Sequence, residues 1–134
     1  MEYYMNTKVN GDFDEVIERV KLELAQEGFG VLSDIDVEST LQQKLGVDFR
    51  KYRILGACNP SFSHKALQAE DKIGTLLPCN VIVQELESGS IEVAAVDPKT
   101  SMQGVSNTAI ETIAGEINDR LQTVIDRLKV AFDH

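Results

Sequence analysis

At 134 residues the chain is expected to form one domain, 1–134, long enough to bury a hydrophobic core without disulfide or metal staples. Hydrophobic residues make up 43% and charged residues 26%, which is ordinary globular usage and excludes a disordered chain. With 22 acidic and 13 basic residues the net charge is -9, and such a surface repels phosphate, so neither nucleic acid nor an anionic membrane is an expected partner.

In chain order, Glu2 to Val9 reads as a strand, because Tyr3, Tyr4, Thr7 and Val9 favour extended backbone. Asn10-Gly11 is a turn. Asp12 is an N-cap with Glu15 three residues on, and Phe13, Val16, Ile17, Val20 and Leu24 recur at helical spacing until Gly28 ends the helix. Phe29 to Asp36 is a second strand. A short helix follows through Leu41 and Leu45 to Gly46, with Gln42, Gln43 and Lys44 on a solvated face and Asp36 as its cap. Tyr52 to Ala57 is a third strand, apolar enough to be expected in the interior. Asn59 is placed to cap the next helix with Pro60 at its first position, and Phe62, Ala66, Ala69 and Ile73 form its inner stripe.

Asn80 to Leu86 and Ile91 to Val96 alternate in polarity on either side of a Ser-Gly turn, so they form an antiparallel hairpin. Asp97 to Gly104 reads as a polar loop. From Asn107 a long amphipathic helix begins, its stripe running Ile110, Ile113, Ala114, Ile117, Leu121, Val124, Ile125 and Leu128. The order β-α-β-α-β-α-β-β-α fits an α+β fold, a mostly antiparallel sheet with helices on one face. A doubly wound parallel sheet is the rival, and the closing hairpin and missing glycine-rich first turn argue against it.

No apolar run reaches the ~20 residues of a membrane span. The start, MEYYMNTKVNG, lacks a basic segment followed by an apolar one, so no signal peptide is expected and the cytoplasm is the expected compartment. The two cysteines, Cys58 and Cys79, are too few for a disulfide framework and are expected as thiols. CxxC, HExxH, P-loop and GxGxxG motifs are all absent.

Chemistry could gather around "ILGACNP", residues 54–60. Cys58 sits just outside a helix N-terminus, where partial positive charge and unpaired N–H groups favour a thiolate; the alternative is a small apolar filler at a strand end. Cys79, in "LLPCNV", lies at the entry to the fourth strand. His64 is one of two histidines, the other being His134, and falls in the first turns of the helix after Cys58. Thiolate, thiolate and imidazole would make a soft set for zinc or copper(I) from Cys58, His64 and Cys79. Against it, His64 lies nearly opposite the Phe62–Ala66 stripe, and the spacing is not a zinc-finger pattern. Asp97, before Pro98, Lys99 and Thr100, is either a polar wall over a pocket or a plain turn. Met102 in that loop is expected to pack. Asp34, Asp36, Glu38 and Asp48 face a small basic island, Arg50, Lys51 and Arg53, with which ion pairing is expected. Val130 and Phe132 extend the last helix's apolar stripe almost to the terminus, where a second subunit could cover it.

The segments "GFGVLSDIDV", "LGVDFRKYRILGACNP", "HKALQAE", "LLPCNVIV" and "AAVDP", in this order, resemble the prokaryotic family known as domain of unknown function 302. The resemblance implies a small α+β protein with a curved antiparallel sheet and a long helix across it, a two-layer fold like the TATA-binding-protein group, and it implies a homodimer. The family's pattern includes the positions held here by Cys58, Asn59, Pro60, His64, Pro78, Cys79, Asn80, Asp97 and Pro98. It implies no reaction.

Three functions follow as expectations. The first is a binding or sensor module for a soft metal or small ligand, with Cys58, Asn59, His64, Cys79 and Asp97 as its polar handles. The second is a structural or interaction homodimer without chemistry. The third is a cysteine-based redox protein using Cys58 and Cys79. With a single internal histidine there is little acid–base equipment, so no catalytic role is assigned.

Overall fold

The computed structural model describes residues 2–133; Met1 and His134 lie outside the described residues. Five strands, β1 (Tyr4–Val9), β2 (Gly30–Asp36), β3 (Tyr52–Cys58), β4 (Cys79–Glu85) and β5 (Ile91–Val96), form one sheet in the order β1-β5-β4-β3-β2. Every neighbouring pair is antiparallel. The helices are α1 (Phe13–Gln26), α2 (Val37–Leu45), α3 (Pro60–Ala69), α4 (Pro98–Ser101) and α5 (Thr108–Ala131), with a 3-10 turn at Asp71–Leu76. The α+β class and the element order agree with the sequence, and the antiparallel pairing removes the parallel rival.

Local chemistry explains the boundaries. The Asp12 carboxylate accepts the Glu15 N–H at 3.2 Å and starts α1. At its other end the Gly28 N–H reaches Ala25 O and the Phe29 N–H reaches Leu24 O, a Schellman closure. Gly28 has φ +87°, which a side chain would strain, so this stop needs glycine. Asp36 accepts the Ser39 N–H and starts α2. Asn107 accepts the N–H groups of Ala109 and Ile110 and starts α5.

Strand alternation then separates two faces. Thr7 and Val9, Leu55 and Ala57, Cys79, Val81 and Val83, and Ile91, Val93 and Ala95 turn to one side, where they are buried. The buried stripes of α1 (Phe13, Val16, Ile17, Val20, Leu24) and α5 (Ile110 through Leu128) join them in one core. No residue of α2 is buried, so that helix is a solvated appendage at the β2 edge.

Three local expectations change. First, β3 is interior on one face only: Leu55 and Ala57 are buried, while Tyr52 and Ile54 are half-buried on the other. Second, α3 ends at Ala69, which is exposed, and Ile73 reaches the core from the 3-10 turn, because the chain changes helical pitch after Glu70. Third, residues 97–104 are not a plain loop. Asp97 accepts the N–H groups of Lys99 and Thr100 and starts the one-turn helix α4, and Met102 is buried behind it. Among the described residues no helix is long and apolar enough to cross a membrane.

Candidate functional site

The residues singled out in the sequence converge only in part. Asn59 holds the N-cap position of α3, yet its side chain makes no cap bond. Instead its Nδ2 donates across to the Glu27 carbonyl at 3.2 Å, tying the start of α3 to the end of α1. The expected capping role is therefore corrected: Asn59 is buried, and the orphan carbonyl at the end of α1 is its better partner. Cys58 is half-buried, with its Sγ 3.2 Å from Ser63 Oγ in the first turn of α3. His64 is exposed on α3. Cys79 pairs with Ala57 across the β3–β4 ladder, and both turn into the core, whereas alternation turns Cys58 away from it.

Among the described residues no three His, Cys, Asp or Glu side chains gather where they could hold a metal ion. Cys58 follows Ala57, the cross-strand partner of Cys79, so the two thiols are neighbours that strand alternation turns to opposite faces, while His64 is exposed. Burial, with the nearby Cys58 adding a smaller effect, pushes the Cys79 thiol up from its ordinary 9.0 to about 11.

Gly56 explains why "ILGACNP" carries a glycine inside a strand. A Cβ there would come 2.9 Å from Pro78 Cγ and collide with the Ser33 hydroxyl, so β2 and the lead-in to β4 close over this position. Gly56→Ala is expected to cost about 1–3 kcal/mol in urea unfolding. An unchanged midpoint would mean that Ser33 and the proline ring yield freely.

Among the described residues, Arg53 is the one member of the basic island that pairs with an acid, while Arg50 bonds Gln84 and Lys51 lies over the Phe13 ring. Arg53 donates twice to Asp34, with the Nε bond at 2.7 Å, and Lys21 lies 3.5 Å from the same carboxylate. The Arg53 hydrogen bond, opposed by some desolvation and helped by the two positive charges, holds the Asp34 carboxyl below its ordinary value.

A concavity lies elsewhere, on the sheet face that no helix covers. It encloses about 390 Å³ and is lined by Tyr3, Tyr4, Tyr52, Ile82, Gln84 and Glu92, with Asn80, Ala94 and Val96 along its floor. Two of its polar groups, Gln84 and Glu92, belong to a hydrogen-bonded chain that crosses three strands. Arg50 Nε donates to Gln84 Oε1, Gln84 Nε2 donates to Glu92 Oε1, and Asn6 Nδ2 donates to Glu92 Oε2, each at 2.8 Å. The Arg50 guanidinium also lies over the Phe49 ring at 4.4 Å and near the Tyr52 ring at 5.5 Å. Tyr3 and Tyr4 meet edge to face, with ring centroids 5.1 Å apart.

Of the sequence candidates, Asp97 adjoins this concavity. It follows Val96, and its N–H donates to the Tyr3 carbonyl at 2.8 Å. Cys58 lies further along β3 on the same side as Tyr52. The lining residues Tyr52, Gln84 and Glu92 were not singled out in the sequence. The signal that could have found them is the alternation of the hairpin: Ile82 and Ala94 are apolar on the face opposite Val81, Val83, Val93 and Ala95, where a solvated strand would carry polar residues.

Comparison with known proteins adds a family. The sequence profile described as "Domain of unknown function DUF302" matches residues 5–128. The crystal structure of an uncharacterized conserved protein DUF302 from Bacillus stearothermophilus is similar at 32% identity and a TM-score of 0.89, over 96% of this chain and 99% of that one. A search of curated proteins finds no match. Strand order, helix placement and the matched span agree: the chain belongs to the DUF302 family.

Proposed function

We propose that this protein is a small ligand-binding module whose site is the tyrosine-walled concavity on the helix-free face. The observation that carries the reading is the hydrogen-bonded chain Arg50–Gln84–Glu92–Asn6, whose Gln84 and Glu92 line, with Asn80, a hollow otherwise walled by tyrosines and aliphatic side chains. A volume of about 390 Å³ suits a small organic molecule. The Glu92 carboxylate uses one hydrogen bond on each oxygen, which leaves about two of its roughly four lone-pair positions for a ligand donor. The ligand this favours has a planar apolar body, stacked against Tyr4 or Tyr52, and an amine, amide or hydroxyl directed at Glu92.

The test is amide chemical-shift mapping with a set of small aromatic amines and amides. The expected shifts fall on Tyr52, Ile82, Gln84, Glu92 and Ala94, and Glu92→Gln weakens binding of the amines by about tenfold through loss of the charge-assisted bond. Shifts confined to the Cys58–His64 region, or a Glu92→Gln protein that binds the amines unchanged, would overturn the reading.

A further inference from the structure

We infer, resting on the ligand reading above, that the hollow takes a zwitterion: an aromatic α-amino acid whose ammonium meets Glu92 and whose carboxylate meets Arg50. Tyr52, Gln84 and Glu92 pair across β3, β4 and β5, so their side chains stand in one row on the helix-free face. An acid and a base close together on such a row commonly pair directly. Here the Gln84 amide stands between them, accepting from Arg50 Nε and donating to Glu92 Oε1. Glu92 takes its second bond from another uncharged amide, that of Asn6. Among the described residues neither Arg50 nor Glu92 has an ion-pair partner. One charge of each sign is therefore held in place by neutral groups and left unneutralised.

Arg50 is exposed, yet it is fixed. Its guanidinium lies 4.4 Å from the centre of the Phe49 ring and 5.5 Å from that of Tyr52, and its Nε is bonded to Gln84. Its two terminal NH2 groups have no hydrogen-bond partner among the described residues, and they form the fork that meets a carboxylate in bidentate fashion. Lys8 stands opposite Glu92 on β1, but no bond among the described residues holds its ammonium in position. Glu85 and Glu87 lie near Arg50; alternation turns Glu85 to the helix-bearing face, and neither pairs with Arg50.

Spacing selects the class. Two hydrogen bonds of 2.8 Å and one amide ~2.3 Å wide separate Arg50 Nε from Glu92 Oε1, so the two atoms lie within ~8 Å. The ammonium nitrogen and a carboxylate oxygen of an α-amino acid are ~3 Å apart, and a hydrogen bond of ~2.8 Å at each end extends the reach to ~8–9 Å. The ring of the amino acid then lies against Tyr52. An amine without the carboxylate satisfies Glu92 alone. An acid without the ammonium satisfies Arg50 and meets the like charge of Glu92.

The experiment is amide chemical-shift titration of the full chain near neutral pH with L-phenylalanine, phenethylamine and 3-phenylpropanoate, which share one ring and differ in charge. The wild type is expected to bind phenylalanine about tenfold more tightly than phenethylamine, and the acid most weakly. This comparison needs no variant. In Arg50→Gln, which keeps a donor for Gln84 at an exposed position and is checked for folding by circular dichroism, the tenfold preference is expected to fall to about one. Equal binding of phenylalanine and phenethylamine by the wild type would overturn the zwitterion and leave the amine reading standing. A preference that survives Arg50→Gln would overturn it as well, and would move the carboxylate to Lys8. If none of the three probes shifts the residues of the hollow, the ligand reading itself fails, and the zwitterion with it.

Discussion

Leu121→Ala is expected to lower the free energy of unfolding by about 2–5 kcal/mol, read from urea midpoints at constant slope. Leu121 is fully buried near the middle of the α5 stripe, with Ile117 one turn before it and Val124, Ile125 and Leu128 after it. That stripe packs on β1 and β5 and meets α1 and α3, so α5 fastens both the sheet and the other helices. Removing the isobutyl group takes apolar area out of the core and leaves a cavity whose walls belong to several elements, which limits collapse. A domain of this size has only about 5–15 kcal/mol to lose. Val130→Ala, on the exposed side of the same helix, should stay within about 0.5 kcal/mol. If the two substitutions cost the same, α5 does not fasten the domain through this stripe.

The same helix shows what the sequence made legible. Eight apolar residues at helical spacing, opened by Asn107, define one stripe and one start, and both appear in the structure where the pattern puts them. Likewise Gly28 and Asp12 bound α1, and the alternation in β4 and β5 gives the hairpin. These are local signals, each carried by a few neighbouring residues. Asn59 shows the limit. Its type and position read as a cap, but its partner is the Glu27 carbonyl, 32 positions away, and that contact exists only once α1 and α3 are docked. Tyr52, Gln84 and Glu92 were hidden for a related reason. Each is unremarkable in its own strand, and they become one wall only after β3, β4 and β5 pair in register. The cysteines misled in the opposite direction. "CNP" and "PCN" look alike along the chain, whereas a one-residue offset across the β3–β4 ladder sends one thiol into the core and turns the other out.

That offset has a consequence in alkaline solution. Cys79 is 5% exposed and its thiol is pushed up from 9.0 to about 11, first by burial and then by Cys58. A thiol raised in this way keeps its proton in the native state after the unfolded chain has lost it. Its contribution to stability is complete below pH 9 and drains away as the pH rises from about 9 to about 11. Over two units this amounts to roughly 2–3 kcal/mol. Lysines and tyrosines titrate in the same window, so the measurement is a difference: the slope of unfolding free energy against pH in the wild type minus that in Cys79→Ala. The wild type should fall more steeply, whatever the alanine cavity does to the baseline. Near neutral pH a disulfide reagent should find one accessible thiol in the folded protein, Cys58, and two after denaturation. A protonated, buried sulfur is a poor nucleophile, which weighs against Cys79 as the resolving partner in thiol exchange. Equal slopes in the two proteins, or two fast thiols in the folded state, would reverse this: Cys79 would then be open to solvent, and the redox role for the pair would regain its footing.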